Sequence, residues 1–477
     1  MSVRRGLLYS FGQTGGQFFI QFFSAIVIAR LLPPAELGVA AVALAAIAIL
    51  ESLREFGVRR YLIKEPELTD DKIRTVFGIA LLVSWAMAAA IFFSRHAIAG
   101  FYDEPRLAPI FALLAVSFLI LPIGLPAGGL LRRDRRYREL SVIVLAATLA
   151  NTVVSILFAW AGHGPISLAW GAVAQSAVLV VMTLAYRRDH IRLRPSLKEW
   201  RAIAGFGGLS SLEAVISTLG SQLPQVLMGK VFAFAAVGYY VRSYRLAIMV
   251  QRLFLSSVNW VTGTELGAKH RVGADMRPML MKATAYTLII AWPALLFMAI
   301  EARPIIELLF GEAWAPAAPV LQALCVAQLL QVVMGQAIAV YIATGDVKLK
   351  LRNEVILQSI ALALLLVGLS YSVLVVAWLR VGFGLAHVVV HMTALRRYVG
   401  LDYRALGAAV AQPAAIAALF AVALIGLRLA LPEPWRDHPL SVFPLAAVMA
   451  GVYALLLLAV RHPLLAEVTR LARRRPV

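Results

Sequence analysis

Cysteine is almost missing from this chain. Cys325 is the one thiol in 477 residues, which rules out an intrachain disulfide and a cysteine-built metal cage. Charge is scarce as well, at 15% of residues where a soluble domain carries about 25%. Acidic groups are the scarcer sign, 25 Asp and Glu against 45 Lys and Arg. Long polar connections are lacking, so no nucleotide-binding domain fits between the apolar runs, and no Gly-rich loop ending in Lys-Ser or Lys-Thr is present to cradle ATP. No Ser/His/Asp grouping, paired carboxylates or HExxH occurs either, so the sequence is read as a non-enzyme that needs no cofactor.

What fills the chain instead is apolar: 61% of residues are hydrophobic, which makes lipid the expected solvent. The net charge of +20 would suit nucleic acid only if it were clustered on soluble modules, and no stretch is long enough to fold as one. Nucleic acid is therefore excluded as a partner.

Runs of about 20 apolar residues are long enough to cross the hydrocarbon as helices. Fourteen are expected: 7–30, 37–54, 75–94, 109–131, 140–161, 166–186, 205–229, 235–262, 279–300, 317–343, 353–371, 373–394, 406–430 and 440–460. They are continuously apolar rather than alternating, so a closed barrel is excluded. Lys and Arg of short loops stay cytoplasmic. Of the 45, 34 fall at the two ends or in even-numbered connections and 7 in odd-numbered ones, which puts both termini in the cytoplasm. The first run, preceded by Arg4 and Arg5, is too long for a signal peptide and is read as an uncleaved anchor.

The polar segment 188–203 falls after six runs and reads as a cytoplasmic linker. The halves it separates look related. Arg30-LLPPAEL-Gly38 and Lys230-VFAFAAV-Gly238 share their spacing at an offset of 200, and Phe101-YDEPRLA-Pro109 is echoed by Phe310-GEAWAPAA-Pro319. The expected architecture is all-α: a six-helix bundle over 1–187, a second over 204–397, and two additional helices with a basic tail over 398–477. Repeated bundles of this sort place a substrate site between them and work by alternating access.

Four arginines remain inside expected spans: Arg242, Arg245, Arg252 and Arg380. Each costs at least about 2.5–3.5 kcal/mol if it faces lipid, so each should face protein or water. Arg242, Arg245 and Arg252 fall within about 80° of one another on a helix, a cationic stripe about 15 Å long. Guanidinium groups stay protonated and donate paired hydrogen bonds, which suits a phosphate or diphosphate. Ion pairing is the competing role: Glu213 lies at a depth similar to Arg252 on the neighbouring span, whereas Arg242 has no acid at its level. Glu213 is also the candidate for proton or cation coupling, as the sole carboxylate well inside a span. Arg380 is read as reaching the outer interface along its stem.

On the first span Gln13, Gln17, Gln21 and Ser24 form a polar seam, with Gly15 and Gly16 allowing close helix approach. Such amides suit sugar hydroxyls. Gln328 and Gln331 make a shorter face on the tenth span and are read as helix packing, with Gln336 to one side. His387 and His391, at i and i+4, lack an acidic or cysteine partner and are read as packing near the cytoplasmic end of their helix.

Five segments, FGVRRYLIKEPELT (56–69), LLRRDRRYREL (130–140), VGYYVRSYRLA (237–247), PIIELLFGEAWAPAAPVLQ (304–322) and IATGDVK (342–348), together resemble the polysaccharide-transporter branch of the multidrug/oligosaccharidyl-lipid/polysaccharide exporter superfamily. The resemblance implies a flippase of the bacterial inner membrane that turns a polyprenyl-diphosphate-linked oligosaccharide from the cytoplasmic to the periplasmic leaflet. Arg242, Arg245 and Arg252 would then hold the diphosphate, and the glutamine seam the sugars. Membrane lipids, a proton or sodium ion, and polysaccharide polymerase and chain-length proteins are the partners so implied. Similar proteins often carry Asp five residues before the glycine of the seventh span, where this chain has Pro224 before Gly229. Two other functions stay open: a multidrug exporter of the same fold, whose cavity would favour acids and aromatics, and a membrane glycan polymerase or ligase.

Overall fold

The structure, a computed structural model, describes residues 3–54, 61–62, 65–187, 194–201, 203 and 208–459. Among these residues every regular element is helical, and twelve helices are long and apolar enough to cross a membrane. The chain is a multi-pass membrane protein. Large apolar side chains are exposed along many of them, Phe93, Trp160 and Val422 among them, as expected of helices whose outer faces meet acyl chains rather than water.

The chain divides into two compact units, Met1–Gly238 and Tyr239–Val477. The first holds α1 (Val3–Leu31), α2 (Pro34–Arg54), α3 (Asp70–Phe101), α4 (Leu107–Arg133), α5 (Tyr137–Trp160), α6 (Ile166–Tyr186), α7 (Gly208–Val231) and the first turn of α8 (Phe234–Arg271). α4 is its centre, packed on α3 and α6, with Leu107, Ile110, Phe111, Leu114 and Phe118 buried. α1 lies on α5, and α2 on α7. The seventh helix is thus counted in the first unit, by its contact with α2. The expected division into six-helix bundles on either side of a linker at 188–203 remains a proposal.

The second unit continues α8 and adds α9 (Arg277–Ile300), α10 (Ala302–Phe310), α11 (Ala318–Val333), α12 (Ala337–Thr344), α13 (Val347–Leu369), α14 (Val373–Val399), α15 (Tyr403–Ala430), α16 (Glu433–Arg436) and α17 (Val442–Ala459). α9 packs on α11 and α15, and α14 on α11 and α13. α15 and α17 share a core of Phe420, Leu424, Leu445 and Met449, against which Phe297 and Ile300 pack.

Each of the fourteen expected runs coincides with a helix or a helix pair. Several helices run beyond the apolar run because their ends are capped. Thr69 accepts from the Lys72 amide and starts α3 before the run, and Asp346 does the same for α13 through Leu349. The tenth run is not one helix: it breaks at Met334–Gln336 into α11 and α12. The connection after α9 is not irregular, but forms α10 and a 3-10 turn over Glu312–Ala317.

Candidate functional site

α8 carries the cationic residues because an apolar helix can hold arginines only where other protein surrounds them. Arg242 is buried, 7% exposed, two turns into the helix. Its guanidinium lies over the Phe310 ring, 5.9 Å from the centroid, and no carboxylate pairs with it among the described residues. Arg245, one turn further along, is exposed, and its positive charge acts on Arg242. The backbones of Arg252 and Glu213 lie within α8 and α7, but their side chains, and with them the expected pair, lie outside the described residues. The stripe is therefore uneven, with Arg242 enclosed and Arg245 exposed.

Arg380 is half-buried, and its reach to the outer interface stays an expectation. Its guanidinium sits over Phe383 at 4.6 Å and over Tyr244 of α8 at 5.5 Å, and its Nε is buried with no hydrogen-bond partner. Two aromatic faces on its own unit thus receive its guanidinium. Tyr240 and Tyr244, at i and i+4, stack 6.0 Å apart. Ser243 between them donates to the Ala317 carbonyl at 3.0 Å and ties α8 to the start of α11. Arg242, Arg380, Tyr240, Tyr244, Phe310 and Phe383 thus take part in the cation–ring and ring–ring contacts around α8. The acids nearby in sequence are engaged elsewhere: Glu307 pairs with Arg303 at 2.8 Å and Glu301 with Arg428 at 3.2 Å. The four arginines of the expected spans were visible in the sequence, whereas the rings that receive two of them come from α8, α10 and α14, mostly distant in the chain.

On α1 the amide seam is graded. Gln13 accepts from Ser141 Oγ of α5 at 3.3 Å, Gln17 is half-buried, and Gln21 is exposed. Other polar contacts give no simple periodic signal: Asn151 of α5 donates to Gln175 of α6 at 3.0 Å, and Gln336, at the helix break, donates to Thr287 of α9 at 3.0 Å. Gln328 and Gln331 are buried, in keeping with packing.

His391 is buried, in keeping with packing. The Tyr341 hydroxyl accepts from Asn353 Nδ2 at 2.9 Å and shares a hydrogen bond of 2.8 Å with His391 Nδ1, which joins α12, α13 and α14. The His387 ring stands edge-on to His391 at 4.3 Å. No group of three or more metal-ligating side chains occurs among the described residues.

Known proteins share both the sequence pattern and the helix arrangement. The family described as polysaccharide biosynthesis protein matches residues 27–319, and the chain belongs to that family. It is 24% identical over 310 residues to the lipopolysaccharide biosynthesis protein WzxC of Escherichia coli (strain K12), covering 64% of this chain and 62% of that one. It is 26% identical over 328 residues to the succinoglycan biosynthesis transport protein ExoT of Rhizobium meliloti (strain 1021), covering 67% and 65%. The chain thus spans a little under two thirds of the length of these two relatives. The lipid II flippase MurJ in an inward closed conformation shares its fold with a TM-score of 0.77 at 13% identity, covering 94% of this chain and 98% of that one. An inward-facing multidrug resistance MATE family transporter of the MOP superfamily aligns at 0.58 and 16% identity, covering 80% and 94%. The fold is the one these exporters share.

Proposed function

We propose that this protein is a flippase that moves a polyprenyl-diphosphate-linked oligosaccharide from the cytoplasmic to the periplasmic leaflet of the bacterial inner membrane, by alternating access and with both termini cytoplasmic. The observation that carries the reading is Arg242, buried in α8, backed by an aromatic ring and paired with no described carboxylate. A cation kept in that condition favours an anionic cargo over a cationic drug. A diphosphate takes paired hydrogen bonds from guanidinium groups, and Arg245 stands one turn away with its side chain exposed. Names of relatives that mention lipopolysaccharide and succinoglycan support a sugar cargo, and the flippase fold supports a lipid-linked one. Gln13, Gln17 and Gln21 would meet sugar hydroxyls, Arg252 would extend the anion stripe, and Glu213 would couple a proton or sodium ion. Polymerase and chain-length proteins would receive the product.

The test is complementation of a strain lacking its polysaccharide flippase. Arg242→Ala with Arg245→Ala, expressed at the wild-type level, should abolish surface polysaccharide and leave lipid-linked repeats on the inner leaflet. Full activity of the double variant removes the anion site. Repeats that collect on the outer leaflet of a deletion strain would instead assign the chain to polymerisation, and altered drug resistance with normal polysaccharide would assign it to drug export.

A further inference from the structure

Three nitrogen-bearing side chains line up on α14. Arg380, His387 and His391 stand at i, i+7 and i+11, within about 40° of one another over about 16 Å of helix. Trp378, Leu385 and Val389, exposed at 48%, 55% and 57%, lie about 140–180° around the helix from Arg380 and mark the side that meets acyl chains. Ala377, Phe383 and Leu395, which flank the line, are buried. Arg380 and His387 are nevertheless only half-buried. A polar side chain in that condition, on the side turned from lipid, borders water.

The line is short of partners and of counter-charge. Arg380 Nε and His387 Nδ1 are both buried without a hydrogen bond among the described residues. The rings of Phe383 and Tyr244 hold the Arg380 guanidinium by its face, a contact that leaves the N–H donors at its edge available. α14 itself contains no Asp or Glu. α11 and α13, which pack on it, contain one between them, Glu354, and that carboxylate accepts from Gln358 at 2.9 Å. His391 differs, since its Nδ1 is bonded to the Tyr341 hydroxyl at 2.8 Å and fixes the far end of the line. A buried polar atom without a partner marks a place where a water, an ion or a ligand atom completes the bonding. Here the groups to be completed are a guanidinium donor and an imidazole nitrogen that donates in one tautomer, with no acid at hand, so the ligand that fits is an oxyanion.

We propose that Arg380 and His387 form a second phosphate-binding subsite, apart from Arg242 and Arg245, which takes the diphosphate of the lipid-linked cargo during transport. The occupant rests on the transport reading above, whereas the subsite rests on α14 and the helices packed against it. The planar fork of Arg380 matches two oxygens of one phosphate, and His387, two turns further along the same face, is placed to meet another oxygen of a diphosphate. His391 acts as a positioning residue. Tyr341 holds it by the hydrogen bond, and the His387 ring stands edge-on to it at 4.3 Å. Phe383 and Tyr244 do the same for Arg380, so the two cargo-facing groups are each oriented by a neighbour before any ligand arrives.

The experiment uses the full chain in detergent, with radiolabelled farnesyl diphosphate as a short-chain probe in equilibrium dialysis. The native chain should bind two equivalents, and the chain carrying Arg242→Ala with Arg245→Ala should keep one. Adding Arg380→Gln to that pair should remove the remaining equivalent, while Arg380→Lys or His387→Phe should weaken it several-fold. Inorganic pyrophosphate should compete for it and farnesol should not. Competition by farnesol alone would make this a site for the lipid tail and overturn the proposal. So would a complete loss of binding from Arg242→Ala with Arg245→Ala, or an equivalent retained at full affinity after Arg380→Gln, which would leave Arg380 a packing residue. If Arg380→Gln fails to fold, unchanged affinity in His387→Phe overturns the proposal by the same criterion. In complementation, Arg380→Gln alone should cut surface polysaccharide, and export at the native level despite lost binding would refute the cargo as occupant. A strain that keeps its polysaccharide after deletion of this protein would refute the transport reading and leave the binding result standing.

Discussion

Replacing Arg428 by Met should destabilise the protein by an amount that depends on pH, and the structure sets both size and sign. Glu301, between α9 and α10, is fully buried. Its Oε1 accepts from Arg428 Nη1 at 3.2 Å, and its Oε2 is buried with no partner. Arg428 also donates to the Ile300 carbonyl at 2.7 Å and to Asp437 at 2.6 Å, which fastens the C-terminal end of α15 to α9. Removing one partner of a buried pair costs about 3–5 kcal/mol, because the other charge is left without compensation. Burial holds the Glu301 carboxyl above its ordinary range, while the charge and hydrogen bond of Arg428 pull it back. Without Arg428 the folded state would hold the Glu301 proton more tightly still. Stability contributed by a raised carboxyl is fully present below its unfolded value and is lost as pH rises through its folded value. The loss should therefore be near its full size at pH 8 and much smaller at pH 5. Glu301→Gln with Arg428→Met should recover most of the loss at pH 8, since no charge then remains buried. The native thiol makes the assay simple: Cys325 is buried and alone, so a thiol-reactive fluorescent dye reports thermal unfolding in detergent directly. An Arg428→Met penalty equal at the two pH values, or a double variant no better than the single, would refute the reasoning.

Three other outcomes are expected. Arg242→Lys keeps the charge but loses the planar fork, so complementation should fall between wild type and Arg242→Ala; equality with wild type would mean that charge alone suffices. Tyr341→Phe removes the hydroxyl shared by Asn353 and His391 and should cost about 1–3 kcal/mol for each group left unsatisfied, read as a lower unfolding temperature. Gly171→Ala should cost about 1–3 kcal/mol in the same assay, since its Cβ would lie 1.9 Å from Ser155 Oγ and 2.7 Å from the Asn151 carbonyl. Ser155→Ala should not rescue it fully, because the backbone oxygen remains.

Much of the fold was legible. A helix in lipid satisfies its own backbone, so continuous apolar runs mark spans without knowledge of their neighbours. Even the close approach of α2 and α8 left a trace, since Gly38 and Gly238, each against the other helix's backbone, stand 200 residues apart in matching segments. The site was legible only as a set of charges. That Arg242 would be enclosed and Arg245 exposed, three residues apart, depends on which helices pack against α8. Arg380 and Phe383 are on α14, while Phe310 belongs to a short helix with no membrane-span signal. The hydrogen-bond partners around His391 were not legible, because Tyr341, which bonds it, and Asn353, which bonds Tyr341, lie 50 and 38 residues away from it in the chain.

The sequence by itself determined the solvent, the helices and the repeat, because hydrophobicity and spacing act locally along the chain. Tertiary structure alone decided where the tenth run breaks, which arginine meets which ring, and that residues 34 and 38 face 238 and 234. Those outcomes depend on close packing and short-range electrostatics between surfaces that the linear order of residues does not bring together.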